Sequence, residues 1–298
     1  MRILLGIILF LFSSIQYIQA QTTMNIWKGI KSNSVTLKAY IPKEGKPSVA
    51  IIVCAGGSYF WNGNKAEGTK VAEWLMNNGI AAFLLDYRTP GTIGFLTHYR
   101  AIVPCLQYPD VIQDVQRAIQ VIRNKASELG GNDMKLGVMG FSAGGHLAML
   151  AAELYKTDYT GQLNVLSPKL LRPDFVAPIY PVVTLSDNRY VHKRSRRGLL
   201  GEWRQFNRHM QDSLSLEKHV PDDCPPVFLC NCIDDPTVKY QNSILLDSAL
   251  TAHHITHKYI QYRTGGHGFG ADNYFGTDES RQWMTEFLHW LKEINIRK

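Results

Sequence analysis

The feature that most constrains the fold is a serine enclosed by glycines, Gly140-Phe141-Ser142-Ala143-Gly144. The apolar residues 135–139 before it predict a buried strand, and the alanine- and leucine-rich residues 145–154 after it predict a helix. The glycines permit a sharp turn that lifts the serine hydroxyl above the sheet, beside a helix N-terminus that favours negative charge. Ser142 is therefore the candidate nucleophile. The alternative is a tight turn whose serine only caps the helix.

In the rest of the sequence, apolar runs that predict strands alternate with amphipathic runs that predict helices. The predicted strands are residues 35–40, 48–54, 81–87, 135–139, 175–183, 226–233 and 257–262. The predicted helices are residues 67–78, 108–129, 145–154, 243–253 and 280–296. The alternation predicts an α/β fold, in which a mostly parallel sheet has helices on both faces and binds ligands at the carboxyl ends of its strands. The strand at 35–40 is expected at a sheet edge, and the polar residues 188–220 are expected to form a small helical cover.

A serine hydroxyl needs a neighbouring base, and the base needs an acid that orients it. In this type of sheet the three residues follow different strands, in the chain order serine, acid, histidine. Of the ten histidines, His267 stands between two glycines directly after the last predicted strand, which makes it the candidate base. The alternative is a loop histidine that caps a turn.

The candidate acid follows the strand at 226–233, where Asp234 and Asp235 are adjacent. We favour Asp235, because Asp235-Pro236-Thr237-Val238 has the Asp-x-x-Val arrangement that is common at this strand end in such enzymes. Asp234 would then be a loop or helix-capping residue.

Acyl transfer also needs hydrogen-bond donors for the oxyanion of the tetrahedral intermediate. The turn Ala55-Gly56-Gly57-Ser58-Tyr59 follows the strand at 48–54, and its glycines let the backbone approach a substrate closely. We expect one donor amide from Gly57 or Ser58 and a second from Ala143, whereas the alternative is an ordinary turn. The aromatic residues that follow, including Tyr59 and Trp61, either stack on a sugar ring or pack the pocket wall.

The N-terminus has the pattern of an export signal. Arg2 precedes the short apolar run 3–12, and Ala20 is a small residue suited to cleavage. The run is short for a membrane span, so export to the periplasm or the exterior is expected, with a retained N-terminal anchor as the alternative. No repeat or linker divides residues 21–298, which are expected to form one domain without stable membrane insertion.

The formal net charge is +7, and several cations cluster at residues 192–197. This cluster either attracts an acidic glycan or another anion, or is a solvated face, and the second interpretation is favoured. A nucleic-acid partner is not expected for an exported chain of this kind.

The five cysteines are an odd number, so an exported chain would keep at least one free thiol. Cys230 and Cys232 are expected on one face of a strand, and the sequence leaves open whether Cys105 and Cys224 form a disulfide. No cysteine spacing resembles a zinc site, and neither a metal nor an organic cofactor is expected.

Several motifs together are similar to those of a known family, namely residues 55–59, 67–68, 85–88, 137–148, 195–201, 225–229 and 265–270. On these motifs the chain resembles secreted bacterial α/β hydrolases of the carbohydrate acetylesterase type, also called acetyl xylan esterase-like. The resemblance implies the α/β-hydrolase fold, with Ser142 as nucleophile, Asp235 as acid and His267 as base. Two positions differ: Ser58 stands where such proteins usually carry a third glycine, and Lys239 stands where they often carry proline.

The resemblance implies a serine esterase that removes acetyl or other small acyl groups from an oligosaccharide or polysaccharide. One alternative is a serine peptidase of the prolyl-oligopeptidase type, but the chain leaves no room for the propeller domain that such peptidases usually carry. Another alternative is a glycan-binding protein on a hydrolase scaffold without turnover. An intact triad in the expected order argues against this second alternative.

Overall fold

The computed structural model describes residues 22–29, 35–63, 65–97, 106–160 and 168–297. Within this part of the chain, one sheet contains eight strands in the order β1-β2-β4-β3-β5-β6-β7-β8. The strands are β1 (Thr23–Asn25), β2 (Thr36–Tyr40), β3 (Val49–Cys54), β4 (Ala81–Asp86), β5 (Lys135–Phe141), β6 (Phe175–Ile179), β7 (Val227–Cys232) and β8 (His257–Tyr262). The pairs β1–β2 and β2–β4 are antiparallel, and all the other pairs are parallel.

Helices connect the parallel strands. The α-helices of the described residues are α1 (Lys70–Asn77), α2 (Gly91–Leu96), α3 (Asp110–Asn124), α4 (Ala126–Leu129), α5 (Ala143–Glu153), α6 (Pro168–Leu171), α7 (Lys193–Arg204), α8 (Arg208–Ser213), α9 (Gln241–Ala252), α10 (Asp278–Arg281) and α11 (Trp283–Glu293). A π-helical turn, Lys65–Thr69, precedes α1, and a short 3₁₀ helix, Leu216–Lys218, follows α8. None of these helices is long and apolar enough to cross a lipid bilayer.

Two apolar layers cover the sheet, one on each face. One layer contains β-strand residues such as Ile52 together with Ile119 of α3 and Leu147 of α5. The other contains Ile51 together with Leu75 of α1 and Phe287 of α11. Because both faces are covered, all six residues of β3 are buried, which explains why this strand is apolar throughout instead of alternating.

The alternation of strands and helices was predicted correctly, but several boundaries were not. The strand at 35–40 does not lie at an edge, because the short strand β1, which the sequence analysis missed, pairs with its outer side. The strand predicted at 175–183 ends at Ile179, and the helix predicted at 108–129 is divided into α3 and α4. The helix predicted at 280–296 is likewise divided into α10 and α11.

The predicted helical cover at 188–220 consists of α7, α8 and the 3₁₀ helix. The cysteines Cys54, Cys224, Cys230 and Cys232 are buried free thiols, with Cys230 and Cys232 in the same apolar layer as predicted. The export signal at residues 1–20 and the cysteine at position 105 lie outside the described residues.

Candidate active site

Ser142 occupies a strained turn between β5 and α5. Its backbone angles, φ 53° and ψ −118°, lie where side chains other than glycine are rarely found. Hydrogen bonds hold the turn: the Ser142 amide donates to the carbonyl of Ile179 at 3.0 Å, and the Ser142 carbonyl accepts from the amide of Val182 at 3.2 Å. A Cβ atom at Gly140 would lie 1.9 Å from the Gly144 carbonyl oxygen, so a side chain at Gly140 would break the turn.

The three residues predicted to form a triad are joined by hydrogen bonds. His267 Nε2 lies 2.8 Å from Ser142 Oγ, and His267 Nδ1 lies 2.6 Å from Asp235 Oδ2. The Asp235 side chain is fully buried, and its other oxygen, Oδ1, accepts hydrogen bonds from the amides of Thr237 and Val238 at 2.7 and 2.9 Å. These bonds fix Asp235 against the imidazole, which is the geometry that a general base requires.

Asp234 points away from the imidazole and binds the loop that carries it. The Asp234 carboxylate accepts hydrogen bonds from the amides of Gly265 and Gly266 at 3.2 and 2.8 Å. The two adjacent aspartates therefore contact different parts of the same loop. The sequence predicts a loop or capping role for Asp234, and in the structure its carboxylate binds the loop that precedes His267.

The predicted oxyanion turn lies directly beside Ser142. A Cβ atom at Gly56 would lie 2.9 Å from Ser142 Cβ, which shows how closely the turn approaches the serine. Gly57 has a φ of 136°, and Ser58 has a φ of 58°. Within the described residues, the amides of Gly57, Ser58 and Ala143 donate to no backbone carbonyl, so each of the predicted donors is able to bind a substrate oxygen.

The two aromatic residues predicted to bind substrate have different surroundings. Tyr59 is only 1% exposed, and its hydroxyl donates to His146 Nδ1 at 2.7 Å. His146 Nε2 in turn donates to the Leu214 carbonyl, and burial lowers the pKa of His146 to about 4, so this histidine is neutral. Tyr59 is thus a buried packing residue, in agreement with the alternative interpretation. Trp61, by contrast, is partly exposed, and its indole nitrogen donates to Thr92 Oγ1 at 3.1 Å.

The structure adds a buried carboxyl group that the sequence analysis did not assign to the site. Glu67, in the π-helical turn, accepts from the Gly56 amide at 2.7 Å and from the Tyr180 hydroxyl at 3.1 Å. Tyr180 in turn accepts from the Gly270 amide at 3.0 Å, and its ring centroid lies 4.8 Å from that of His267. Burial raises the pKa of Glu67 above its ordinary value, although the nearby His267 and the two hydrogen bonds lower it.

Glu67 therefore links the oxyanion turn to the loop of His267. The one signal in the sequence was the place of Glu67, in the 67–68 motif, at the start of a predicted helix. That signal does not distinguish a buried carboxyl from an exposed one.

His192 is the residue just before α7, and its imidazole contacts the first turn of that helix. Its Nδ1 is 2.7 Å from Ser195 Oγ. Burial and then the charges of Arg194 and His267 lower the pKa of His192 to about 4, whereas Asp235 raises it. His192 is thus a neutral imidazole within electrostatic range of both Arg194 and the His267–Asp235 pair.

The described residues contain no group of three or more His, Cys, Asp or Glu side chains that could hold a metal ion. The site itself brings together a serine hydroxyl, an imidazole, a buried carboxyl group and the backbone amides of the turn beside Ser142.

The sheet order, the strained serine turn and the Ser142–His267–Asp235 chain define an α/β hydrolase. The family model described as BD-FAE matches residues 37–250, which is more than half of the chain, and the chain belongs to this family. The matched segment contains Ser142 and Asp235 and ends before His267. The resemblance to acetyl xylan esterase-like hydrolases that the sequence indicated is thereby confirmed.

Two curated relatives are similar over most of this chain. An acetylxylan esterase of Xylanibacter ruminicola is 28% identical over 282 residues, which are 94% of this chain and 53% of that protein. An endo-1,4-beta-xylanase B of Butyrivibrio fibrisolvens is 32% identical over 237 residues, which are 80% of this chain and 35% of that protein. The chain thus spans about half of the length of the first relative and about a third of the second.

Solved structures share the fold. An acetyl ester-xyloside bifunctional hydrolase from Caldicellulosiruptor lactoaceticus is 27% identical with a TM-score of 0.77, over 93% of this chain and 98% of that chain. A propionate-bound thermophilic esterase of Thermogutta terrifontis is 21% identical with a TM-score of 0.70, over 93% and 95% of the two chains. The predicted α/β-hydrolase fold is confirmed.

Proposed function

We propose that the protein is a serine esterase that removes acetyl or other small acyl groups from carbohydrate esters. The observation that carries this proposal is the hydrogen-bonded chain from Ser142 Oγ through His267 to Asp235, with distances of 2.8 and 2.6 Å. The carbohydrate substrate is supported by the relatives, one of which is an acetylxylan esterase and another an acetyl ester-xyloside hydrolase.

The reaction follows from the geometry. His267 Nε2 takes the proton of Ser142 Oγ while the oxygen attacks the ester carbonyl carbon. Asp235 holds the imidazole by its Nδ1–H and stabilises the imidazolium that forms. The tetrahedral intermediate collapses as His267 gives the proton to the leaving sugar oxygen, which leaves an acyl group on Ser142. A water molecule, deprotonated by His267, then attacks the acyl carbon and releases the carboxylic acid, so that Ser142 regains its proton.

The amides of Ala143 and of Gly57 or Ser58 stabilise the negative oxygen of the tetrahedral intermediate in this proposal. Ala143 is the first residue of α5, so its amide has no acceptor within the helix and the helix dipole favours the same charge. Trp61 is kept as a candidate sugar contact because it is partly exposed beside the turn. Tyr59 is buried and is therefore assigned to packing of the pocket wall and not to sugar binding.

We also propose that residues 21–298 form one catalytic domain, because a single sheet connects β1 with β8. Export to the periplasm or the exterior is proposed from Arg2, the apolar run 3–12 and Ala20.

The proposed function is tested by acetate release from a panel of acetylated oligosaccharides, with peptides included as a control for the peptidase alternative. We expect acetate release from the sugars and no cleavage of the peptides. Because most exposed side chains of residues 188–220 are polar or charged, with Trp203 and Phe206 as exceptions, we expect nitrophenyl acetate to react faster than nitrophenyl octanoate. The assays use the protein recovered after export. N-terminal sequencing of this protein is expected to begin near Gln21.

Ser142→Ala is the matched variant for this experiment. It should lower turnover by several orders of magnitude, because triad members act as a unit, while binding of acetylated sugar is retained. Labelling of the native chain, but not of the variant, by a fluorophosphonate would separate an esterase from a glycan-binding protein. Turnover that survives in Ser142→Ala would rule out the serine mechanism.

A further inference from the structure

The N-terminal end of α7 carries an unusual concentration of positive charge. Lys193, Arg194, Arg196 and Arg197 lie in its first turns, and the first turn contains no acidic residue. Cations at a helix N-terminus are disfavoured by the helix dipole. The contacts of the three arginines show which of them serve the fold.

Internal contacts account for two of these arginines. Arg196 is 8% exposed and donates to the Leu185 carbonyl at 3.1 Å. Arg197 donates to the Phe95 carbonyl at 2.6 Å, and its guanidinium lies 5.0 Å from the ring centroid of Phe60. Both side chains therefore fasten α7 to the rest of the protein.

Arg194 has a different set of contacts. Its Nε donates to Ser58 Oγ at 3.0 Å, and among the described residues it forms no ion pair with a carboxylate. The hydrogen bond uses Nε alone, so the two terminal nitrogens of the guanidinium are left to bind another group. Arg194 is thus an exposed cation that is held in place but not neutralised by a carboxylate of the described residues.

Ser58 is well suited to fix this guanidinium. It is 5% exposed and has a φ of 58°, a conformation that costs a residue with a side chain about 1 kcal/mol more than glycine. Glycine would form the turn without strain but would lack the Oγ atom that accepts from Arg194. Helix α7 also packs tightly on the turn, since a Cβ atom at Gly198 would lie 2.2 Å from the Ser58 carbonyl oxygen.

Arg194 is also close to the proposed reaction centre. Ser58 belongs to the turn that supplies a proposed oxyanion donor, and a Cβ atom on Gly56 of the same turn would lie 2.9 Å from Ser142 Cβ. A group bound by the guanidinium would therefore be a near neighbour of the ester that Ser142 attacks. This placement suits recognition of a second group on the same substrate.

We propose that Arg194 determines specificity by binding a carboxylate on the substrate, so that the site prefers acetyl esters of glycans that contain uronic acid. This inference rests on the proposed esterase function and names its substrate class. The two terminal nitrogens of a guanidinium match the two oxygens of a carboxylate, and the bond from Ser58 orients the guanidinium before the substrate binds.

The test compares two small substrates that differ in one group: a monoacetylated methyl glucuronoside and a methyl glucoside acetylated at the same hydroxyl. We expect the native chain to favour the glucuronoside about tenfold in kcat/KM, mostly through KM, which corresponds to about 1.4 kcal/mol. The preference should decrease with added salt, because salt screens an exposed charge.

Arg194→Met keeps much of the side-chain length and removes the charge, and the ratio of the two kcat/KM values should fall to about one. Arg194→Lys keeps the charge without the paired nitrogens and should give an intermediate ratio, and Ser58→Gly should also reduce the ratio. Lys193→Met is the matched control, because it removes an exposed charge one residue away and should leave both rates unchanged.

The outcomes separate the two proposals. A native chain that hydrolyses both esters equally, or an Arg194→Met variant that keeps the native ratio, would overturn the role of Arg194 and leave the esterase function standing. If Lys193→Met lowers the ratio of the two kcat/KM values as much as Arg194→Met does, the positive charge of the surface in general causes the preference. That result would also overturn the proposed role of Arg194. A native chain that hydrolyses neither ester would remove the proposed function, and this inference with it.

Discussion

Asp234 and Asp235 are neighbours in the chain, yet their carboxylates bind different groups. Asp235 contacts the imidazole of His267, and Asp234 holds the amides of Gly265 and Gly266 in the loop before it. One carboxylate therefore acts on the proposed base directly, and the other acts through the backbone that carries the base.

We expect Asp235→Asn to lower kcat by about four orders of magnitude, as the equivalent change does in a serine protease, because an amide does not stabilise the imidazolium. Asp234→Asn should cost about tenfold or less, because it weakens two hydrogen bonds to the loop without touching the imidazole. The measurement is acetyl ester hydrolysis, with circular dichroism as a check on folding.

Asp222→Asn is the control for this pair, since the Asp222 side chain is 95% exposed and its partner among the described residues is His253 at the surface. It should behave as the native chain. If Asp234→Asn proves to be the inactive variant, the assignment of the acid is wrong.

For single residues, the sequence predicted that Ser142, His267 and Asp235 come together, because each follows a strand and lies in a short motif. It did not predict the partners of Asp234, Ser58 or Glu67. Ser58 and Arg194 are 136 residues apart, and Glu67 and Tyr180 are 113 apart. Such contacts depend on how loops pack, which local patterns do not encode.

Among the elements, the turn before α1 has the most direct effect on the site. The sequence predicts a helix from residue 67, but the helix begins at Lys65 with a π-helical turn, a form that is rare and often found at functional sites. This turn directs Glu67 inward, where it binds both the oxyanion turn and Tyr180. Hydrophobic periodicity predicts a helix here and gives no sign of the extra residue in the turn.

We expect Glu67→Gln to lower kcat about tenfold with little change in KM. Glutamine offers one acceptor oxygen in place of two, so the Gly56 amide and the Tyr180 hydroxyl no longer both donate to this side chain and the oxyanion turn becomes less fixed. Steady-state kinetics on an acetyl ester measure this, with folding checked by thermal denaturation.

Glu73→Gln is the matched control, because Glu73 lies on α1 and its side chain is 39% exposed in an ion pair with Lys70. It should keep native kinetics. A native kcat in Glu67→Gln would mean that this carboxyl only supports the fold.

For the whole molecule, the order of strands and helices was predictable from the sequence. Strands that are buried on both faces are continuously apolar, and segments with the hydrophobic periodicity of a helix lie between them. The missed strand β1 has only three residues, of which two are exposed, so it carries no such pattern. The sequence also gave no reason to expect buried acids outside the site. Glu153, the last residue of α5, is 8% exposed, and its Oε1 atom has no partner in the described structure.

Burial, and then the negative charge of Glu217, raises the pKa of Glu153 well above its ordinary value of 4.5. Because the folded-state pKa exceeds the unfolded one, this group stabilises the fold fully below pH 4.5 and loses that contribution as pH rises through the folded value. Glu153→Gln is neutral at every pH. We therefore expect its Tm to exceed the native Tm by a few degrees more at pH 8 than at pH 5.

Thermal melts of the two chains across this pH range measure the effect. Glu128→Gln, which changes an exposed side chain on α4, is the control and should shift Tm equally at both pH values. A Glu153→Gln variant whose Tm difference does not depend on pH would contradict the assignment of a neutral buried acid.

Strand β8 lies at the end of the sheet and pairs with β7, and His267 follows it. Of the three proposed triad residues, His267 alone follows this edge strand, which in the described sheet has a neighbour on one side only. Local opening of this end of the sheet would therefore withdraw the proposed base while Ser142 keeps its turn between β5 and α5.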